Sequence, residues 1–248
     1  MAGVGLLPVT LPPGVSGGFT TRTGGASATP YAELNLGAHV GDDPAAVRAN
    51  RHALARALDV QRVCFGTQVH GTDAQLVDGE GSAFDAAEVP PRCDALVTTE
   101  PGVALGVLVA DCVPVLLADA SAGVIAVAHA GRRGLLAGVL QRTLTLMSEV
   151  GSSPADVAAV VGPAIGGCCY EVPAELRTAV AADVPDVASR TSWGTPSLDL
   201  PRGAEAVLRS AGVPTVHRVA VCTAEDDRFY SYRRAAVTGR FTGVLVRR

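Results

Sequence analysis

The 248-residue chain carries 20 basic and 24 acidic residues, a formal charge of −4 spread without long runs of either sign, which gives no footprint for nucleic acid or an anionic membrane. Every basic residue is arginine, so lysine Schiff-base chemistry and a phosphate-loop lysine are excluded. The length suits one domain over residues 1–248 with a substantial core, and the expected partner is a small molecule, bound by a monomer or small homo-oligomer.

The chain opens without a basic segment followed by a long apolar stretch, and its six cysteines are therefore expected as reduced thiols in a cytoplasmic protein. The longest apolar stretch, 103–117, is broken by Asp111 and Pro114 and falls short of a membrane span. After a Pro/Gly-rich start, residues 17–25 read as a short strand running into a glycine turn. Asp42-Asp43-Pro44 marks a helix start, and Val47, Leu54 and Leu58 give the helix over 44–58 an apolar stripe. Strand segments are expected at 63–70 and 73–77 on either side of a Gly71 turn, followed by a polar loop to about Arg92.

In the centre, the runs 95–98, 104–109, 113–118 and 124–128 are almost wholly apolar, as for strands buried on both faces. Pro114 cannot donate to a ladder, so a bulge or bend is expected around Cys112. A helix over 134–149, a strand at 157–161, a glycine-rich loop at 162–172 and a helix at 173–182 follow. Another helix runs from Pro201 to Gly212, then a strand from Val216 to Cys222, an arginine- and aromatic-rich tail and a final strand. The mixed order predicts an α+β or mixed α/β domain without internal repeats.

Three residues carry the strongest chemical signal. His70, Cys112 and His129 offer two imidazoles and a thiolate, a borderline-soft set suited to zinc and tolerable to copper. Three protein ligands leave one position of a tetrahedron for water or substrate, the pattern of a catalytic rather than a structural site. Their spacings of 42 and 17 residues are not finger-like, however, and the same residues also suit a turn cap, a small core hydrophobe and a satisfied buried imidazole. Cys168 and Cys169 read as buried loop residues, since adjacent cysteines make poor chelating pairs.

A whole-chain resemblance decides between these readings. It rests on Thr21-Arg22-Thr23-Gly24-Gly25, Leu34-Asn35-Leu36-Gly37-Ala38-His39-Val40-Gly41-Asp42-Asp43, Gln68-Val69-His70-Gly71, Ala110-Asp111-Cys112-Val113-Pro114, His129-Ala130-Gly131, Gly162-Pro163-Ala164-Ile165, Tyr170-Glu171-Val172, Cys222-Thr223, Ser231-Tyr232-Arg233-Arg234 and Thr238-Gly239-Arg240. In these segments the sequence resembles the multicopper polyphenol oxidase or laccase-domain family, also described as purine nucleoside phosphorylases of the YfiH and FAMIN type. The resemblance implies a single mixed α/β sandwich of YfiH-like fold and places the family's metal ligands on His70, Cys112 and His129. Arg132 stands where the family usually has Trp, replacing a flat indole with a cation beside the metal.

Other site residues follow with less support. Asp111 adjoins Cys112 and could orient an imidazole or move protons, or simply hold the bend. Arg132 and Arg133 at a helix start could bind phosphate or merely solvate it. Asn35 and His39 could contact substrate, although Asn-Leu-Gly also reads as a turn. Arg22, Arg233 and Arg240 are candidates to converge on phosphate, the alternative being surface ion pairs.

The resemblance implies zinc-dependent phosphorolysis of adenosine, inosine and related purine nucleosides to free base and ribose 1-phosphate, with adenosine deamination as a companion activity. Copper-dependent phenol oxidation is a competing reading, but five histidines are few for a multicopper site. A Cys112/His129 amidase acting on cell-wall precursors and a non-enzymatic, metal-stabilised scaffold are further alternatives.

Overall fold

The computed structural model describes residues 3–78 and 90–248, so most of the polar loop expected before Arg92 lies outside the described residues. In chain order the elements are β1 (Leu6–Pro8), β2 (Val15–Thr20), α1 (Pro44–Ala57), β3 (Val63–Phe65), β4 (Ala74–Leu76), β5 (Ala95–Thr98), β6 (Ala104–Val109), β7 (Val113–Asp119), β8 (Val124–Ala130), α2 (Arg132–Ala137), α3 (Val139–Glu149), β9 (Ala158–Val161), α4 (Ala174–Asp183), β10 (Ala188–Arg190), β11 (Pro196–Leu198), α5 (Leu200–Ser210), β12 (Thr215–Arg218) and β13 (Phe241–Arg247). They form a mixed α/β sandwich. One sheet has the order β1-β2-β13-β6-β3 and the other β12-β9-β7-β8-β5-β4, with β10 and β11 as a separate pair.

The central apolar runs have a simple cause. On β8, Val124, Ala126 and Ala128 face a cluster shared with α2, α3, α4 and α5, while Ile125 and Val127 join Phe19, Leu105, Val107 and Leu245 between the sheets. Both faces are dry, so the usual two-residue alternation of apolar and polar side chains is absent from the sequence. A smaller cluster of Leu36, Leu54, Leu58, Phe65, Leu108 and Val244 seats α1 against the five-stranded sheet. Asp43 caps that helix, accepting from the Ala45 N–H at 2.9 Å, with Pro44 in the first turn.

Several expectations change. Pro114 lies in regular strand, opposite His129; its carbonyl accepts from Gly162 N–H at 2.8 Å, just beyond the last β7–β9 pair at Val115 and Val161, where no donor is required of it. The bend expected around Cys112 is present just before the strand, at residues 110–112, with Asp111 at a φ of 91°. The helix expected over 134–149 starts at Arg132 and is divided at Gly138, whose φ of 96° ends α2. The strand expected over 63–70 stops at Phe65; Thr67 then bridges to Arg92, and the N–H groups of residues 69–71 turn to the side chain of Asp94. β12 likewise ends at Arg218 rather than Cys222.

This topology gathers the chemistry at one end. Val109 pairs with Phe241, Val113 with Ala130, and Val115 with Val161. The end of β6, the starts of β7 and β13, the end of β8 and the end of β9 therefore share one rim of the sandwich. Cys112, His129, Arg132, the 162–172 loop and Arg240 are carried there from distant parts of the chain.

Candidate metal centre

His129 occupies the penultimate position of β8, on the same side as Ile125 and Val127, and so points into the inter-sheet layer where it opens at the rim. Its side chain is almost fully buried. A buried imidazole needs a partner, and Nδ1 meets Asp94 Oδ1 at 2.8 Å. That leaves Nε2 as the nitrogen available to a metal.

Asp94 is the residue that sequence reasoning missed. Its side chain has 0% exposure, and it organises both histidines. Oδ1 accepts from His70 N–H at 2.9 Å as well as contacting His129, while Oδ2 accepts from Val69 N–H at 3.2 Å and Gly71 N–H at 2.7 Å. This cradle holds His70 at a φ of 60°, an uncommon region for a residue with a side chain. Burial opposes charge on Asp94, but the His129 hydrogen bond and the backbone N–H groups outweigh it and lower its pKa. The clue in the sequence was a carboxylate placed directly before the dry strand 95–98.

Cys112 enters from the β6–β7 connection. Asp111 fixes that turn with both oxygens, accepting from Thr223 Oγ1 at 2.7 Å and from Arg233 N–H at 2.6 Å. Its carbonyl also accepts from Ile165 N–H at 2.9 Å. Asp111 therefore aims the neighbouring thiol, and its carboxylate is engaged away from the imidazoles, contrary to the orienting role considered for it. That role belongs to Asp94.

The trio converges. One donor atom from each of His70, Cys112 and His129 lies within 4.8 Å of the others; His70 Nε2 is 3.7 Å from Cys112 Sγ, and the two imidazoles meet edge-on with centroids 4.8 Å apart. Gly131 leaves room beside them. A Cβ there would stand 2.7 Å from His70 Cδ2 and 3.2 Å from Cys112 Sγ. Two imidazoles and a thiol, one imidazole oriented by a buried carboxylate, fit a divalent borderline-soft ion.

The electrostatics also favour a thiolate. Burial by itself raises the Cys112 thiol, but His129 and His70 beside it bring its pKa down to about 6. Burial likewise opposes charge on His129, yet the Cys112 sulfur and Asp94 raise its pKa to about 9. In metal-free protein, iodoacetamide labelling of Cys112 is expected to rise through a midpoint near pH 6, because thiolate accumulates above that value, and to be suppressed by one equivalent of zinc. A midpoint near that of an ordinary thiol would contradict this pairing; peptide mass spectrometry of labelled protein measures it.

The remaining candidates divide by contact. Arg132, at the start of α2, lies close enough to the Tyr170 phenol to act on its charge, as do Cys112 and Arg233. Arg233 lies over the Tyr170 ring at 5.2 Å and donates to Cys169 O at 3.0 Å. Arg240 feels Cys112 and Asp111, and in turn lowers the pKa of His39, after burial and together with Arg51. Arg133 is exposed at the next position of α2. Arg22 and Asn35 do different work from that expected: Arg22 donates to Ala32 O at 2.8 Å and covers the Tyr230 ring. Asn35 has 0% exposure and spends its amide on Gly37, Asp42 and the Arg240 N–H. Asn35 is thus spent inside the protein, and both residues brace their own loops.

The fold and this donor group define a class: a two-sheet α/β sandwich with a His–Cys–His donor group able to hold a metal at one rim. The chain belongs to the family described as multi-copper polyphenol oxidoreductase laccase, which matches residues 16–248. It is 51% identical, over 92% of its own length and 93% of the relative's, to a purine nucleoside phosphorylase of Streptomyces coelicolor. Among solved structures it is similar to a Neisseria meningitidis protein at 35% identity and TM-score 0.86, covering 98% of each chain. It is also similar to YlmD from Geobacillus stearothermophilus at 37% identity and TM-score 0.86, covering 95% of this chain and 93% of that one.

Proposed function

We propose that the protein is a zinc-dependent purine nucleoside phosphorylase that cleaves adenosine or inosine with phosphate to free base and ribose 1-phosphate, with adenosine deamination as a companion activity. The observation that carries this reading is an open three-donor centre bordered by arginines. His70, Cys112 and His129 would hold the ion, leaving a coordination position for an oxygen of substrate. Zinc bound there would supply Lewis acidity and lower the pKa of water at the site. Names given to relatives such as the Streptomyces coelicolor enzyme support the phosphorylase assignment.

The protein's own groups meet the other demands. Arg132, Arg233 and Arg240 bring positive charge to the rim for phosphate, with Arg133 one position outside it. Burial, then Cys112, keep the Tyr170 phenol protonated despite the arginines beside it, so it can donate a hydrogen bond to a purine. His39, held neutral by burial, Arg240 and Arg51, can donate or accept towards the ribose. Asp94 and Asp111 position the ligands without touching substrate. We assign the protein to the cytoplasm, in keeping with six free cysteines. Among the described residues no helix is long and apolar enough to cross a membrane.

Oxidation of phenols fits less well. Among the described residues only one ligand group contains histidine, whereas a multicopper centre needs several, so copper here would substitute for zinc rather than build a laccase. A second reading has one favourable observation: Asp94, His129 and Cys112 are arranged like the acid, base and nucleophile of a cysteine hydrolase. It gives no task to His70, 3.7 Å from the sulfur.

Chromatography of adenosine or inosine incubated with enzyme, with and without phosphate, separates these readings. Phosphate-dependent release of adenine or hypoxanthine is expected from the wild type and none from Cys112→Ala; equal turnover by both would sink the assignment. Arg132→Ala is expected to raise KM for phosphate about tenfold with a smaller change in kcat, the loss of one charge-assisted hydrogen bond. Initial rates at varied phosphate measure it.

A further inference from the structure

A second group of donors converges away from the His–Cys–His centre. Cys168, Cys169, Cys222 and Glu225 each offer one ligand atom, and all four atoms lie within 4.8 Å of one another. The adjacent cysteines, expected from the sequence to be buried loop residues and a poor chelating pair, are instead brought together with Cys222 and Glu225 by a tight turn in which Cys169 N–H and Tyr170 N–H both donate to Gly166 O, at 3.0 and 2.9 Å. Cys222 and Glu225 come from a second turn, where Glu225 N–H donates to Cys222 O at 3.1 Å. Thr223 N–H donates to Ala164 O at 3.0 Å and ties the two turns together.

We propose that Cys168, Cys169, Cys222 and Glu225 form a second, structural metal site, taking a thiophilic divalent cation of which zinc fits best. Three sulfurs are soft donors, while the carboxylate favours zinc over copper(I). Four protein ligands close a tetrahedron, which marks a structural rather than a catalytic site. Gly166 N–H points at Cys222 Sγ from 3.3 Å, a contact that favours a thiolate and recurs where sulfurs bind metals. Gly166 also leaves the space clear: a Cβ there would lie 3.1 Å from Cys168 Sγ and 3.7 Å from Cys222 Sγ, much as one at Gly131 would crowd Cys112.

Burial first, then the neighbouring cysteines, push Cys168 up strongly, and burial chiefly raises Cys169 to about 11. Cation entry replaces three S–H bonds by three metal–sulfur bonds and releases three protons to solvent. With the carboxylate, the filled site carries a net charge of about −2 from four anionic ligands and one dication. Arg233 and Arg234 border it, bonded to the carbonyls of Cys169 and Thr223 rather than to ligand atoms, and their charge offsets that excess. The filled site would pin the loop that carries Tyr170 against the segment leading to Arg233, two groups that border Cys112.

The test counts metal, independently of any activity. Zinc is added to chelator-stripped, reduced full-length protein, excess is removed by gel filtration, and bound metal is measured by inductively coupled plasma mass spectrometry. Two equivalents are expected in the wild type, one in Cys112→Ala and one in Cys222→Ser. Cobalt(II) in the Cys112→Ala protein should give a thiolate charge-transfer band that Cys222→Ser removes. Glu225→Gln, at an exposed position, should weaken zinc binding in the Cys112→Ala background without unfolding the chain. A single equivalent in wild type that vanishes entirely in Cys112→Ala would overturn the proposal. So would a mass two hydrogens low before reduction, with no metal bound after it, because the cysteines would then form a disulfide.

Discussion

Asp94→Asn is expected to cost about tenfold to a hundredfold in zinc affinity, and a comparable factor in turnover at limiting zinc. The size follows from the bonding of the carboxylate. Oδ1 serves His70 N–H and His129 Nδ1, while Oδ2 serves the N–H groups of Val69 and Gly71. An amide has one accepting end. Whichever way asparagine turns, its NH2 faces two donors, and a fully buried site offers no water to relieve them. A loss of about 3 kcal/mol in folding stability should accompany the weaker zinc binding. Zinc titration with a competing chelator measures the first effect and chemical denaturation of the metal-free protein the second. Wild-type affinity in the variant would mean that the histidines are positioned by something else.

Gly131→Ala is expected to reduce turnover about a hundredfold, the scale of loss when reacting groups are displaced by about 1 Å. The backbone does not require glycine there, since φ is −70° and ψ 163°. What requires it is space: the new methyl would lie 2.7 Å from His70 Cδ2 and 3.2 Å from Cys112 Sγ. The trio must therefore spread or rotate. The same substitution separates packing from backbone conformation, because the variant should fold and yet hold zinc poorly. A fully active Gly131→Ala enzyme would show that the donors close around the ion elsewhere than between these three side chains.

Much of this is legible in the sequence. The strands 95–98 and 104–109 emerge with their observed limits because long β-branched and leucine-rich runs end at turn residues, and α1 because Asp43-Pro44 announces it. That His70, Cys112 and His129 belong together follows from residue chemistry and family resemblance, and their donor atoms do converge. Three kinds of feature were hidden. β10 and β11 are three residues each and pair with one another, β11 also bridging to the single residue Glu171, too short to leave a pattern. Asn35 and Arg22 read as substrate contacts because polar loop residues look alike whether they face solvent or are consumed in holding a loop. Asp94 is hidden for the reverse reason: three of its four partners are backbone N–H groups, which leave no signature in a sequence beyond a carboxylate placed before a dry strand.

The one-ended arrangement has a practical corollary for handling the enzyme. Gly102 lies between β5 and β6, and Arg247 pairs with Val15, both at the margin of the sandwich opposite Cys112. Gly102 has a φ of 78°, and no atom would meet a Cβ there within 4 Å. A surface linker built into the 99–103 connection, which crosses from one sheet to the other, would leave the His70–Cys112–His129 rim facing outward on a resin or electrode.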